Sequence, residues 1–90
     1  MTTIEYGELV RVVPMSSGIF PTEFTWRGRR HRVRSVERFN TETRPRRNGV
    51  TRRRLFRLRT ASGMRCLLSQ DIERETWHLE KVLIARGGVR

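Results

Sequence analysis

The stretch RRRLFRLRTASGMRCLLS, residues 52–69, decides the fold of this 90-residue chain. Phe56 and Leu58 alternate with arginines, and the alternation resumes after a three-residue segment that ends in Gly63. Alternation with a period of two is typical of a strand with one buried face, and a glycine at this place is typical of a hairpin loop. We therefore predict two antiparallel strands, with Gly63 in the left-handed region. The side chains expected to point inward from the second strand are Met64, Cys66 and Leu68.

Similar short segments, separated by Gly and Pro, occur on both sides of this hairpin. The predicted strands are 8–14, 22–26, 30–39, 52–60, 64–69 and 76–85. Val36 and Phe39 are out of step with His31 and Val33, which predicts a bulge near Ser35. The fold class is therefore mainly β, a strongly curved antiparallel sheet or small barrel of about five or six strands that hides its edges by closing.

The remaining segments are expected to be connections. A short helical turn or a polar loop is predicted near 70–75, and a helix over 71–85 is a weaker alternative because its apolar residues form no clear stripe. We expect one domain over 1–90, with its core at about 4–85, a loop at 15–21 and a flexible tail at 86–90. Residues 40–51 are predicted to be a mobile Arg-rich loop, or alternatively a hairpin with Asn48-Gly49 at its tip.

The composition predicts a cytoplasmic protein with no membrane partner. The longest apolar run is 82–85, far below the ~20 residues that cross a bilayer. Glu5 and Glu8 stand where a signal peptide would carry positive charge and then an apolar segment. The single cysteine, Cys66, excludes an internal disulfide and fits a reducing compartment.

The positive charge is concentrated in the middle of the chain. The formal net charge is +11, and residues 27–65 hold fifteen arginines against only Glu37 and Glu42, a net charge of +13. Only Lys81 among the basic residues is a lysine, which also fits GC-rich coding. Coding bias does not explain where the charge lies, so the middle of the chain is a candidate surface for a polyanion.

Catalytic, metal and cofactor sites are not predicted. The candidate titratable groups are His31, His78, Cys66 and Asp71, and Cys66 belongs to an alternating core segment. The chain has no C-x-x-C motif, no paired carboxylates and no Gly-rich phosphate loop. Two histidines beside many arginines leave a small ribonuclease as a minor alternative.

Two predicted strands carry arginines that alternate with apolar residues. If these strands are neighbours, Arg32, Arg34, Arg57 and Arg59 form a grid of guanidinium groups on the outer face. Guanidinium groups match phosphate oxygens two at a time, and a grid of like charges otherwise destabilises a sheet. The aromatic residues nearby are expected in the core. The predicted nucleic-acid-binding residues are Arg27, Arg29, Arg30, Arg32, Arg34, Arg46, Arg47, Arg52, Arg53, Arg54, Arg57 and Arg59.

Three segments also resemble a known family. FTWRGRRHRV at 24–33, FRLRT at 56–60 and WHLEKV at 77–82 occur in an order that resembles a small actinobacterial domain of unknown function. That domain is also found fused behind the inactive Y-family DNA polymerase homologue of a mutagenic repair cassette. The resemblance covers about residues 20–84 and implies a link to DNA repair, without binding residues to carry over.

The leading hypothesis is a non-catalytic module that binds the nucleic-acid backbone with little sequence readout. The alternative is a protein-interaction module for an acidic partner, such as a polymerase accessory protein, which would expose an apolar patch near Trp26 or Trp77. The sequence leaves open the choice between DNA and RNA, and the oligomeric state.

Overall fold

The computed structural model describes residues 2–14 and 18–84, and within them six antiparallel strands form a single sheet. Each strand pairs with the next along the chain, and the last pairs with the first, so that the sheet closes in a ring. This confirms the predicted mainly β fold and strong curvature. The strands are β1 (Thr2–Pro14), β2 (Pro21–Trp26), β3 (Arg29–Arg46), β4 (Gly49–Thr60), β5 (Arg65–Asp71) and β6 (Thr76–Ile84). The predicted tail at 86–90 and residues 15–17 of the predicted loop lie outside the described residues.

The core fills the inside of the ring with the apolar residues that the alternation predicted. Phe56 and Leu58 of β4 are fully buried, and Trp26 is half-buried against the same core. Met64 is half-buried there as well. Because successive side chains of a strand point to opposite faces, each strand contributes alternate residues. The buried apolar set is Val10, Phe24, Phe56, Leu58, Cys66, Leu68, Trp77 and Leu79.

The tight turns follow their glycines. Arg27 and Gly28 connect β2 to β3 with φ angles of 52° and 77°, the pattern of a two-residue turn whose twist matches the strands. Gly63 has a φ of 96° in the β4–β5 loop, where the Thr60 amide donates to the Met64 carbonyl. The predicted three-residue hairpin loop with a left-handed Gly63 is confirmed.

The connection between β5 and β6 is a turn. Residues 72–75 form it, and the Glu75 amide donates to the Asp71 carbonyl at 2.8 Å. The weaker alternative of a helix over 71–85 is wrong, because residues 76–84 belong to β6. Within the described residues, no helix is long and apolar enough to cross a membrane.

Bulges in β3 set which residues face inward. The register with β4 shifts between Val33 and Ser35, as the sequence predicts, and shifts again between Val36 and Arg38. Each shift adds a residue to β3 and so resets its alternation. As a result Val33 and Val36, three positions apart, both pack against the core.

The predicted loop at 40–51 is wrong, and its hairpin alternative is correct except for the position of the tip. β3 continues to Arg46, β4 begins at Gly49, and the turn is Arg47-Asn48. Polar composition and Pro45 favoured a loop, but a two-stranded ribbon tolerates both because it buries no face and Pro suits an edge strand. β5 ends opposite Arg53, so residues 43–52, which we call the arm, project beyond it as a two-stranded ribbon.

Candidate nucleic-acid interface

β3 and β4 are neighbours, which is the condition for the predicted arginine grid. Arg57 and Arg59 alternate with fully buried residues of β4 and therefore lie on the outer face. Arg57 lies opposite Arg38, and Arg59 lies opposite Ser35, while Arg34 occupies the first bulge. The grid is therefore only partly the predicted one, since Arg38 takes the place opposite Arg57.

Arg38 is absent from the residues predicted from the sequence. Its position depends on the second register shift, between Val36 and Arg38. The single bulge predicted near Ser35 does not place both Val36 and Phe39 inward, because they are three positions apart, and that odd spacing was the signal for the second shift. A prediction that took every arginine in residues 27–65 would have included Arg38.

Several candidate arginines are engaged by carboxylates. Arg54 has a neutral partner instead, because its Nη1 donates a hydrogen bond to the amide oxygen of Gln70 at 3.2 Å. A guanidinium that holds a carboxylate offers less net charge to a phosphate, because the two charges offset each other. The ion pairs of the predicted residues are Arg27–Glu8 (2.5 Å), Arg30–Glu23 (3.7 Å), Arg52–Glu73 (3.0 Å), Arg53–Glu42 (2.8 Å) and Arg59–Glu37 (3.7 Å).

Arg53 is the centre of a polar network on the outer face. Its side chain is only 27% exposed and lies 2.8 Å from Glu42 of β3 and 3.5 Å from Glu80 of β6. The hydroxyl of the buried Ser69 donates to Glu80, which extends the network to β5. The hydrogen bond from Arg53 is the main cause that lowers the pKa of Glu42. Arg53 therefore has a structural role that links four strands.

Arg27 is also held within the protein. Its guanidinium lies 5.0 Å from the ring centroids of both Tyr6 and Trp26 and donates to Glu8. The indole N–H of Trp26 donates to the same carboxylate at 2.8 Å. These hydrogen bonds, that of Arg27 first, lower the pKa of Glu8 from 4.5 to about 2. The cluster connects β1 to the end of β2 and to the β2–β3 turn.

Most of the exposed arginines without such a partner follow one strand, and the exceptions among the described residues are Arg11 of β1 and Arg74 of the β5–β6 turn. Six arginines on β3 and the turn after it are exposed, and no carboxylate among the described residues lies within 4.0 Å of them. We call this set the β3 row. Its members are Arg29, Arg32, Arg34, Arg38, Arg46 and Arg47.

The two acidic residues of β3 do not offset the β3 row. Glu37 lies 3.7 Å from Arg59 and 3.4 Å from Arg65, so arginines of β4 and β5 already engage it. Glu42 is engaged by Arg53 and by Arg44, the latter at 3.3 Å. The carboxylates on this strand are thus turned toward cations outside the row.

The β3 row is long. β3 has 18 residues, and a strand rises by ~3.3 Å per residue. The molecule extends 49 Å along its longest axis. Arginines at both ends of such a strand span several phosphates of a nucleic-acid backbone.

A shallow depression lies next to the middle of the row. It has a volume of about 220 Å³ and is lined by Arg38, Arg57 and Lys81 around the apolar side chains of Leu67 and Leu83. Of these cations, Lys81 lies 3.9 Å from the carboxylate of Glu5, which offsets part of its charge. The depression lies on the outer face, because Arg57 and Leu67 alternate with buried residues of β4 and β5, and Lys81 of β6 lies opposite Leu67.

The candidate catalytic residues are apart. His31 stacks on the buried Phe24 with ring centroids 5.1 Å apart, and burial, followed by the charge of Arg29, lowers its pKa. His78 is on the opposite face, since it alternates with the buried Trp77 and Leu79. The two histidines therefore do not converge on one substrate position.

Two exposed aromatic residues were not singled out from the sequence. Phe20 and Phe39 are 36% and 38% exposed, with ring centroids 5.3 Å apart. The aromatics weighed from the sequence were Phe24, Trp26 and Phe56, and these are buried or half-buried, as expected. Phe20 belongs to a predicted loop and Phe39 to a strand end, so alternation gave no reason to separate either from the core.

Comparison with known proteins places the chain in a family. Residues 1–83 match a family described as a domain of unknown function, DUF6504, and the chain belongs to that family. No curated protein and no solved structure gives a significant match.

Proposed function

We propose that this member of the DUF6504 family is a nucleic-acid-binding module that contacts backbone phosphates with little sequence readout. The observation that carries the proposal is the β3 row, six exposed arginines with no carboxylate among the described residues within 4.0 Å. Contacts to backbone phosphates need only exposed cations, and they carry no sequence information directly.

Electrostatics supports a polyanion as the partner. Residues 27–65 carry a net charge of +13, and the carboxylates on β3 are engaged by Arg53, Arg59 and other arginines outside the row. Like charges opposite each other in a sheet destabilise it, yet Arg38 lies opposite Arg57. Phosphates at this surface would remove that repulsion.

Fluorescence anisotropy with labelled single- and double-stranded DNA and RNA tests the proposal. If all six arginines of the row meet phosphates, affinity should fall by about 10³-fold or more between roughly 50 and 200 mM salt. A flat salt response, or no binding at low salt, would contradict it.

We also propose that the nucleic acid is DNA in a repair setting. The support is the resemblance of residues 20–84 to actinobacterial domains fused behind an inactive Y-family polymerase homologue. The DNA and RNA arms of the same titration decide it, since equal or tighter binding of RNA would leave the DNA assignment without support.

A protein partner is the second candidate function, and one observation favours it. Leu9 and Val13 are 67% and 54% exposed on the outer face of β1, on either side of Arg11. This apolar surface differs from the predicted patch, because Trp77 is buried and Trp26 is half-buried. The partner would be an acidic protein, and Leu9→Asp should abolish its capture while leaving nucleic-acid binding intact.

A further inference from the structure

The aromatic side chains of Phe20 and Phe39 are neighbours at one end of the closed sheet. Phe39 is opposite Phe56 on β4, and Phe20 makes an edge contact with both of these rings, at 5.3 and 5.9 Å between centroids. The side chains of Phe20 and Phe39 remain more than one-third exposed. A domain this small stabilises itself by burying its aromatic rings, so two neighbouring exposed ones indicate a surface with another use.

Buried aromatics hold these two rings in place. Phe56 is fully buried, contacts Phe39 with ring centroids 5.1 Å apart, and contacts Trp77 at 5.2 Å. The exposed rings are thus the outer end of a packed aromatic series. A ring fixed in this way binds a flat partner with little loss of side-chain entropy.

A cation, Arg54, lies on the same face of the β3–β4 hairpin as Phe39 and Phe56. The pair Phe39–Phe56 is followed, two positions on, by the pair Thr41–Arg54. Arg54 donates to Gln70, a neutral partner, so that hydrogen bond fixes its guanidinium without offsetting its charge. Arg38 of the β3 row, although adjacent to Phe39 in sequence, lies on the other face of the sheet.

From this placement we infer that Phe20 and Phe39 form a base-stacking site for single-stranded nucleic acid, with Arg54 beside it for a phosphate. This inference rests on the proposed function. Exposed aromatic rings next to cations are the means by which proteins bind single strands without sequence preference. In a duplex the faces of the bases are covered by their neighbours, so a stacking site selects unpaired bases.

The test compares an oligothymidylate of about twelve nucleotides with a duplex of the same length at one salt concentration. Phe39→Leu, and Phe20→Leu with Phe39→Leu, should weaken single-strand binding by roughly five- to 100-fold per base unstacked, with little change for the duplex. Phe39→Tyr keeps the ring and should bind as the unaltered protein does. Leu9→Ala removes an exposed apolar side chain on β1 and serves as the control.

If circular dichroism shows that the leucine variants do not fold, a fluorescent variant gives an independent measurement. Phe39→Trp places an indole at the site, and its fluorescence should be quenched by oligothymidylate in proportion to binding. Two results would overturn the stacking site alone. One is salt-dependent binding to both nucleic acids that Phe39→Leu leaves unchanged. The other is a Phe39→Trp protein that binds oligothymidylate without quenching of its fluorescence. Binding to neither nucleic acid would overturn the proposed function as well.

Discussion

Arg38 of β3 lies directly opposite Arg57 of β4 on the outer face of the sheet. The pairing follows from the second bulge in β3, which shifts the register between Val36 and Arg38. Two guanidinium groups in this relationship repel each other, so the sheet is less stable than one with a neutral residue at either place.

Arg38→Thr should therefore stabilise the free protein and weaken its binding of nucleic acid. Threonine suits a strand and removes the repulsion, so we expect the free energy of unfolding to rise by about 0.2–1 kcal/mol at low salt. Urea denaturation measures that change, and anisotropy measures the binding. Arg11→Thr, at an exposed β1 position opposite Thr25, is the control with the same change in charge and should give the smaller gain. A loss of stability in Arg38→Thr would show that the guanidinium is satisfied in the free protein.

Removal of residues 44–51 of the arm should leave the closed sheet folded and weaken nucleic-acid binding. Residues 44–51 pair only with each other within the described strands, so an Asn-Gly turn between Thr43 and Arg52 replaces them with a hairpin connection. We expect a cooperative thermal transition close to that of the full chain, because the arm contributes no buried core residue. The shortened chain lacks Arg46 and Arg47 of the β3 row and should bind nucleic acid more weakly. A chain that no longer unfolds cooperatively would mean that the arm is needed for folding.

The cluster of Glu8, Trp26 and Arg27 predicts a pH dependence. The folded-state pKa of Glu8 is about 2, below its ordinary value of 4.5, so its stabilising effect is complete above about pH 4.5 and is lost as the pH falls toward 2. The indole N–H resonance of Trp26, which reports the hydrogen bond to Glu8, should titrate with a midpoint near pH 2. Glu8→Gln retains an acceptor for the indole and should remove this titration. A midpoint near 4.5 in the unaltered protein would indicate that the hydrogen bonds do not form in solution.

Cys66 should be unreactive in the folded protein. The thiol is fully buried between β4 and β6, and burial raises its pKa from 9.0 to about 12, so almost no thiolate is present at neutral pH. Reaction with a thiol-specific chromogenic disulfide should therefore occur only as fast as the protein unfolds, and urea should accelerate it. Fast labelling of the native protein would place Cys66 at the surface and contradict the inward face of β5.

The alternation of apolar and polar residues, together with the residues typical of turns, was enough to predict a strongly curved antiparallel sheet. Phe56 and Leu58, the bulge near Ser35 and the left-handed Gly63 all follow from local sequence, because each reflects the pleat or a backbone angle. The leading prediction of a loop at 40–51 was wrong, and a hairpin was only its alternative, because a two-stranded ribbon with no buried face has no apolar pattern to distinguish it from a loop. The β3–β4 register near Arg38 and the arm therefore needed the structure.

Five of the six arginines of the β3 row are among the twelve singled out from the sequence, but the sequence did not separate them from the other seven. The sequence contains fifteen arginines in residues 27–65, but it does not indicate which of them meet a carboxylate. Glu37 engages Arg59 and Arg65 because two bulges and the closure of the sheet bring β3, β4 and β5 together, which is a tertiary effect. Likewise, Phe39 is exposed because the core ends at that point of the ring, which no local pattern encodes.

The most direct test of the account is the salt dependence of duplex DNA binding in two charge-matched double variants. Arg34→Gln with Arg38→Gln removes two members of the β3 row, whereas Arg27→Gln with Arg52→Gln removes two guanidinium groups already held by Glu8 and Glu73. We predict that the first variant lowers the slope of log affinity against log salt by about 1.8, or ~0.9 for each phosphate that the protein no longer neutralises, and that the second leaves the slope unchanged. Equal slopes in the two variants, or a larger decrease in the second, would contradict the assignment of the β3 row as the nucleic-acid-binding surface.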